Sequence, residues 1–242
     1  MRLVSWNVGM SLARKMPSLA ALRPDVAVLQ EVSSSDVARQ NESCWVGNLS
    51  HKGLGVLGFN GFELTRDPSW DPRVEFVIPL HVRGPVDFLL IAVWAMHNRA
   101  VQRLAERPNR WQLLQALDVY EQLIRSFPTV IAGDFNNAVL WDRPGKASNH
   151  SSVVARLNEL GLASAYHTER HVDQGQELEP TLYWTWHANA RYHIDYVWIP
   201  KNWVPAIRSV EVGDYATWVA GRLSDHVPIT VDIDQRLTPA KT

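Results

Sequence analysis

Polar side chains stand where the sequence otherwise reads as buried strand. Asn7 ends RLVSWN, Glu31 follows VAVLQ, Asp134 and Asn136 follow TVIAG, Asp195 interrupts HIDYVW, and Asp225 with His226 opens the last apolar run. His97 closes FLLIAVWAM. Most of these positions fall at or just past strand ends, where open sheets gather their ligand crevices. If the strands are neighbours, Glu31, Asp134, Asp195 and Asp225 converge as four carboxylates with no cysteine and no paired-histidine motif among them. Carboxylates crowded in this way repel one another unless a cation neutralises them. Hard oxygen ligands suit Mg²⁺ or Mn²⁺ rather than structural zinc, and Mg²⁺ usually keeps water and substrate phosphate oxygens in its shell. The chemistry implied is that of phosphoesters.

The elements that must position these groups are mostly short runs of Val, Ile, Leu, Phe and Trp. They predict strands over 2–8, 26–29, 54–57, 74–80, 86–95, 129–132, 192–199, 207–212 and 227–233. The runs 26–29 and 88–95 are apolar on both faces, as strands between two other layers would be. Helical signals lie between them: 110–126 behind a capping Asn109, 153–160 behind Ser151 and Ser152 and stopped by Gly161, and a short helix over 18–22 before Pro24. Strands outnumber helices and the two are interleaved. The pattern predicts a single α/β or α+β domain over 1–235, with a short tail over 236–242.

Composition narrows the class. The chain has 242 residues, 46% hydrophobic and 20% charged, so it can bury a large core and is not a disordered chain. Its lone cysteine, Cys44, forms no internal disulfide and no multi-cysteine zinc site. The longest apolar run, 88–96, is about half of the roughly 20 residues a membrane helix needs. Polar Ser5 and Asn7 interrupt the place where a signal peptide would carry its apolar core. The expectation is a cytoplasmic protein with no membrane span and no obligate protein partner. With 24 Lys+Arg against 25 Asp+Glu the net charge is −1, so any polyanion site must be local.

The ordered set SWN, LQE, GDFN, HIDYVW and SDHVPI resembles the endonuclease/exonuclease/phosphatase superfamily, which includes DNase I-like and exonuclease III-like enzymes. Each motif is short, but five in the family's order extend from residue 5 to residue 229. The resemblance implies an α+β four-layer sandwich, two mixed β-sheets packed face to face with helices outside, and divalent-metal-dependent hydrolysis of phosphodiesters with Mg²⁺ or Mn²⁺. It implies Asn7, Glu31 and Asp225 as metal ligands. Asp134 and Asn136 would align the attacking water and contact the phosphoryl oxygen, His226 would contact the scissile phosphate, and Asp195 would polarise a histidine. His97 matches the histidine of DNase I-like members, a general acid for the leaving oxygen. The other seven histidines fall in no motif.

Substrate contacts are less sharply marked. Arg99, Arg103, Arg107 and Arg110 follow His97 at helical spacings, divided by Pro108, and could grip flanking phosphates. Among 11 Trp, Trp184 and Trp186 in YWTWH and Trp218 lie near the later motifs, where exposed aromatics stack on bases, although core packing accounts for most tryptophans. Thr185-Trp186 matches the family element upstream of the IDY motif. Nucleic acid is the leading substrate class. The alternative is a small or lipid-linked phosphoester of the inositol phosphate or sphingomyelin type.

Overall fold

The computed structural model describes residues 1–95, 112–146 and 149–238. Elements are numbered along the chain. One six-stranded sheet runs β13 (Ile207–Val212), β14 (Ile229–Ile233), β1 (Arg2–Asn7), β2 (Val26–Val32), β4 (Lys52–Gly58), β3 (Glu42–Leu49). The other runs β5 (Glu63–Arg66), β6 (Val77–Arg83), β7 (Phe88–Trp94), β8 (Thr129–Asp134), β12 (Asp195–Pro200), β9 (Leu162–Ser164). Both are mixed: β1 is parallel to β2 and antiparallel to β14, and β8 is parallel to β7 and antiparallel to β12. A separate hairpin joins β10 (Leu182–Tyr183) to β11 (Arg191–Tyr192).

The period of two along each strand sorts side chains between layers. Leu3, Val26, Val28, Leu90, Ala92, Val130, Ala132, Val197 and Ile199 fill the seam between the sheets. Their neighbours point outward. Val4, Trp6, Ala27 and Leu29 pack beneath α1 (Leu12–Ala21) and α2 (Ser34–Val37). Leu89, Ile91, Ile131, Tyr196 and Trp198 pack beneath α3 (Gln112–Val119), α4 (Glu121–Ser126) and α5 (His150–Glu159). The result is the expected α+β four-layer sandwich. Trp6, Trp198 and Trp203 are among its largest fully buried side chains.

Several element boundaries differ from expectation. Four strands went unanticipated: β3, β5 and β9 at the edges of the large sheets, and β10 of the separate hairpin. Edge strands need only one buried face, so they lack the continuous apolar run that marks a central strand. The run expected over 74–80 forms β6 three residues later, after a turn in which Phe76 takes φ 57°. The run expected over 192–199 is split: Tyr192 belongs to the hairpin and β12 begins at Asp195. Helix α1 starts at Leu12 and tolerates Pro17 inside it. The helix expected over 110–126 breaks at Tyr120, and residues 110–111 lie outside the described segments. Helix α5 begins at His150, where Asp142 from the preceding loop accepts from the amides of His150 (2.6 Å) and Ser151 (3.0 Å). Gly161 (φ 80°) follows its end as predicted. Among the described residues no helix is long and apolar enough to cross a membrane.

Candidate active site

The same alternation that fills the seam carries polar groups into one end of it. Asn7 closes β1 on the inward face, in register with Gln30 of β2. Asp134 closes β8 and pairs in register with both Trp94 of β7 and Asp195 of β12, so the two acids stand side by side. Gly133 lets this happen: at φ 151° it lies against β7, and a Cβ there would collide with the Val93 carbonyl. Asp134 and Asp195 are fully buried and Asn7 and His226 nearly so. Both neighbours of Asp195 pack into apolar clusters, while its own carboxylate is fully buried beside Asp134 and His226.

Hydrogen bonds tie the two sheets together at this point. Asn7 Nδ2 donates across the seam to Asp134 Oδ2 (3.0 Å), and Gln30 Nε2 donates to the Val93 carbonyl (3.3 Å). Asn136, left-handed at φ 48°, donates its backbone N–H to Asp134 Oδ1 (2.8 Å) and its amide to Asp134 Oδ2 (3.2 Å) and to the Ala95 carbonyl (2.8 Å). His226 Nδ1 donates to Asp195 Oδ2 (2.9 Å). Ligand atoms of Asp134, Asp195 and His226 all lie within 4.8 Å of one another.

Burial and charge shift these groups. Burial, reinforced by the negative charge of Asp195, pushes the Asp134 carboxyl up to about 7 against the pull of His226 and the Asn7 hydrogen bond. Burial works to discharge the His226 imidazolium, but the Asp195 carboxylate beside it and their hydrogen bond win, raising it to about 10. His226 therefore stays cationic at neutral pH.

Glu31 and Asp225 form a rim. Glu31 takes φ 57° at a bulge where the β2–β4 register slips between Gln30 and Val32. Without that extra residue its side chain would follow Leu29 to the outer face. Its Oε2 pairs with Lys52 Nζ at 2.9 Å, and the Lys52 ammonium also lies 5.4 Å from the centre of the Trp94 ring. Lys15, half-buried and feeling both Asp225 and Glu31, donates to the Val8 (2.5 Å) and Gly9 (3.3 Å) carbonyls. Asp225 is partly exposed in the turn before β14. Trp186 is half-buried in a turn after β10. His97, Arg99 and Arg103, with the rest of the arginine stripe, lie outside the described residues.

Two positioning residues escaped the sequence reading. Thr181 is fully buried, and its Oγ1 accepts from the amides of Ile194 and Asp195, both at 3.0 Å. Ser224 Oγ donates to the Asn7 carbonyl (2.7 Å) and accepts from the His226 amide (3.2 Å). Ser224 was visible as the first letter of SDH. No local pattern distinguished Thr181.

The profile of the Endonuclease/Exonuclease/phosphatase family matches residues 4–226. The chain belongs to that family. Family membership makes this protein a phosphoester hydrolase of the nuclease and phosphatase kind. No curated protein sequence matches this family member. Solved structures similar to it include a 3′ phosphatase from Neisseria bound to product DNA hairpin, at 19% identity and TM-score 0.68 over 97% of this chain and 99% of that one. An AP endonuclease from Archaeoglobus fulgidus is similar at 18% identity and TM-score 0.68 over 97% and 99%. The endonuclease domain of TRAS1, a telomere-specific non-LTR retrotransposon, is similar at 13% and 0.64 over 97% and 98%. At these identities the likeness is one of fold.

Proposed function

We propose that this family member is a divalent-metal-dependent phosphodiesterase, a nuclease acting on DNA or RNA by in-line attack of water on phosphorus. The observation that carries this reading is the buried Asp134–Asp195–His226 group, joined across the seam to Asn7. The DNA named with the Neisseria phosphatase supports the substrate class.

The donor set fits a hard cation. Asp195 Oδ1 is a buried carboxylate oxygen with no hydrogen-bond partner among the described residues, and the carboxyl of Asp134 is pushed toward neutrality by burial and then by its acidic neighbour. Glu31 and Asp225 on the rim, with Asn7 at the end of the seam, would hold Mg²⁺ or Mn²⁺ beside that group, where Lys52 already pairs with Glu31. When bound, the cation supplies Lewis-acid polarisation of a phosphoryl oxygen and neutralises charge among the acids.

The chain's own residues do the rest. Asp134, poised at about 7, takes the proton of the attacking water at near-neutral pH. Asn136 spends its amide hydrogens on Asp134 and Ala95, so its part in this geometry is to fix the Asp134 carboxylate. His226, held by Asp195 through Nδ1, presents its other nitrogen as an imidazolium donor to the charge that develops on phosphoryl oxygen. The sequence assigns protonation of the leaving oxygen to His97, and phosphate or base contacts to Arg99, Arg103 and Trp186. A cytoplasmic single domain over 1–235 suits a chain whose one cysteine is free.

The test is hydrolysis of plasmid DNA, single-stranded DNA, RNA and bis(p-nitrophenyl) phosphate with Mg²⁺, Mn²⁺ or EDTA. EDTA abolishes turnover, and Asp134→Asn or His226→Ala lowers kcat by about 100-fold or more. Near-normal rates in both variants would refute these roles.

A further inference from the structure

The long arginine stripe read from the sequence lies outside the described residues, yet a different arginine stands beside the site. We propose that Arg222, stacked on Trp186, grips a phosphate flanking the scissile one and so commits this site to an extended polynucleotide. The inference rests on the phosphodiesterase reading above.

The Arg222 guanidinium lies 5.4 Å from the centre of the Trp186 ring. Among the described residues it has no carboxylate partner, whereas Arg156, Arg170 and Arg236 are each tied to acids. A guanidinium stacked on indole keeps its edge N–H donors free, and that planar fork matches two phosphate oxygens. The stack also restrains a side chain that would otherwise lose rotamer entropy on binding.

Both partners are built on the segments that carry His226. Arg222 precedes His226 by four residues, so it stands within about 14 Å of it along the chain. The intervening Ser224 is bonded to the Asn7 carbonyl and the His226 amide. Trp186 follows β10, whose Leu182 bridges His226 and whose Tyr183 amide donates to the Asp225 carbonyl (2.7 Å). The Trp186 carbonyl is fixed by the Tyr215 hydroxyl (3.1 Å). Thr185, Trp186 and Arg222 all adopt left-handed backbone, at φ 52°, 67° and 58°. Each is a conformation that non-glycine residues adopt at a cost, here spent on two turns that bring the pair together. Trp184, 57% exposed in the same turn, offers a face for the base attached to that phosphate. With a net charge of −1, the molecule has no global field to do this work, so a fixed local cation is the means available.

The test is binding of a fluorescein-labelled single-stranded oligonucleotide by anisotropy in EDTA across a salt series, with plasmid and bis(p-nitrophenyl) phosphate hydrolysis in Mg²⁺ alongside. Arg222→Ala weakens binding about 10-fold and lowers the salt slope by about 0.7, one phosphate contact on a single strand. Arg222→Gln, of similar length but uncharged, gives the same slope. Arg83→Ala, an exposed arginine at the other end of β6, serves as control and keeps the wild-type slope. An unchanged slope in both Arg222 variants, with hydrolysis intact in the wild type, overturns the proposal and spares the hydrolase reading. An Arg222-dependent slope in a protein that cleaves no phosphodiester overturns the hydrolase reading and, with it, the flanking-phosphate role, leaving Arg222 as a polynucleotide contact alone.

Discussion

Asp195 and His226 form an ion pair whose contribution to stability has a definite sign. The imidazolium is raised from 6.5 to about 10 in the folded state, so its stabilising contribution is complete below pH 6.5 and is lost as pH climbs toward 10. Asp134 acts in the same direction over a lower window. Its carboxyl is raised from 3.8 to about 7, so the folded state favours its protonated form and loses stability as pH rises between those values. The buried imidazoles of His150 and His193, lowered by burial, work in the opposite direction over the lower window, so the signature is a difference between proteins. In EDTA, urea unfolding followed from pH 4 to 10 is expected to show the wild type losing stability with rising pH relative to Asp134→Asn below pH 7 and relative to His226→Asn above it. Parallel curves for wild type and His226→Asn above pH 7 would mean that the pair is not ionised as described. These residues were legible as chemistry because carboxylates and a histidine at the ends of apolar runs have no structural reason to be there. What the letters did not carry was direction: Asn136 reads as a donor to substrate, yet its two amide hydrogens are spent on Asp134 and on Ala95.

At the scale of elements, the site depends on how closely β8 lies against β7. Val93 and Gly133 are register partners, and the glycine leaves the β7 carbonyl the room a methyl group would occupy. Gly133→Ala is expected to destabilise the fold by about 3 kcal/mol, the upper end of overpacking costs, and to lower kcat further by moving Asp134 from Asn7. Its urea midpoint and kcat, measured together at a temperature where the variant is folded, check this; a variant as stable and as active as wild type would show that the β7–β8 contact is not as tight as it stands here. Central strands were readable because both of their faces are buried and the run of apolar residues is unbroken, as in FLLIAVW. The edge strands β3, β5 and β9 were not, since ESCWVGNL and ELTR carry polar residues that solvent accepts. Helix α5 was found, but its cap was not: Asp142 reaches its first amides from eight residues upstream, outside any local capping pattern.

Across the whole molecule, Asn7 comes from one sheet and Asp134, Asp195 and their register partners from the other, so the site exists only when the sheets are docked. The unfolded chain scatters these groups between residue 7 and residue 226 and offers no comparable set. A cation that binds here therefore binds the folded state, and mass action turns its affinity into stability. At about 100 times its dissociation constant, Mn²⁺ is expected to add about 2.7 kcal/mol. For a chain of this size that corresponds to a rise in Tm of roughly 5–10 °C. Mg²⁺ acts in the same direction at higher concentration. Glu31→Gln, which removes a rim charge without touching the seam, should unfold near the wild-type Tm in EDTA and gain far less from Mn²⁺. Differential scanning calorimetry on the two proteins with and without Mn²⁺ separates these outcomes. An equal Mn²⁺ shift in both would place the ion away from Glu31 and overturn its part in holding the cation.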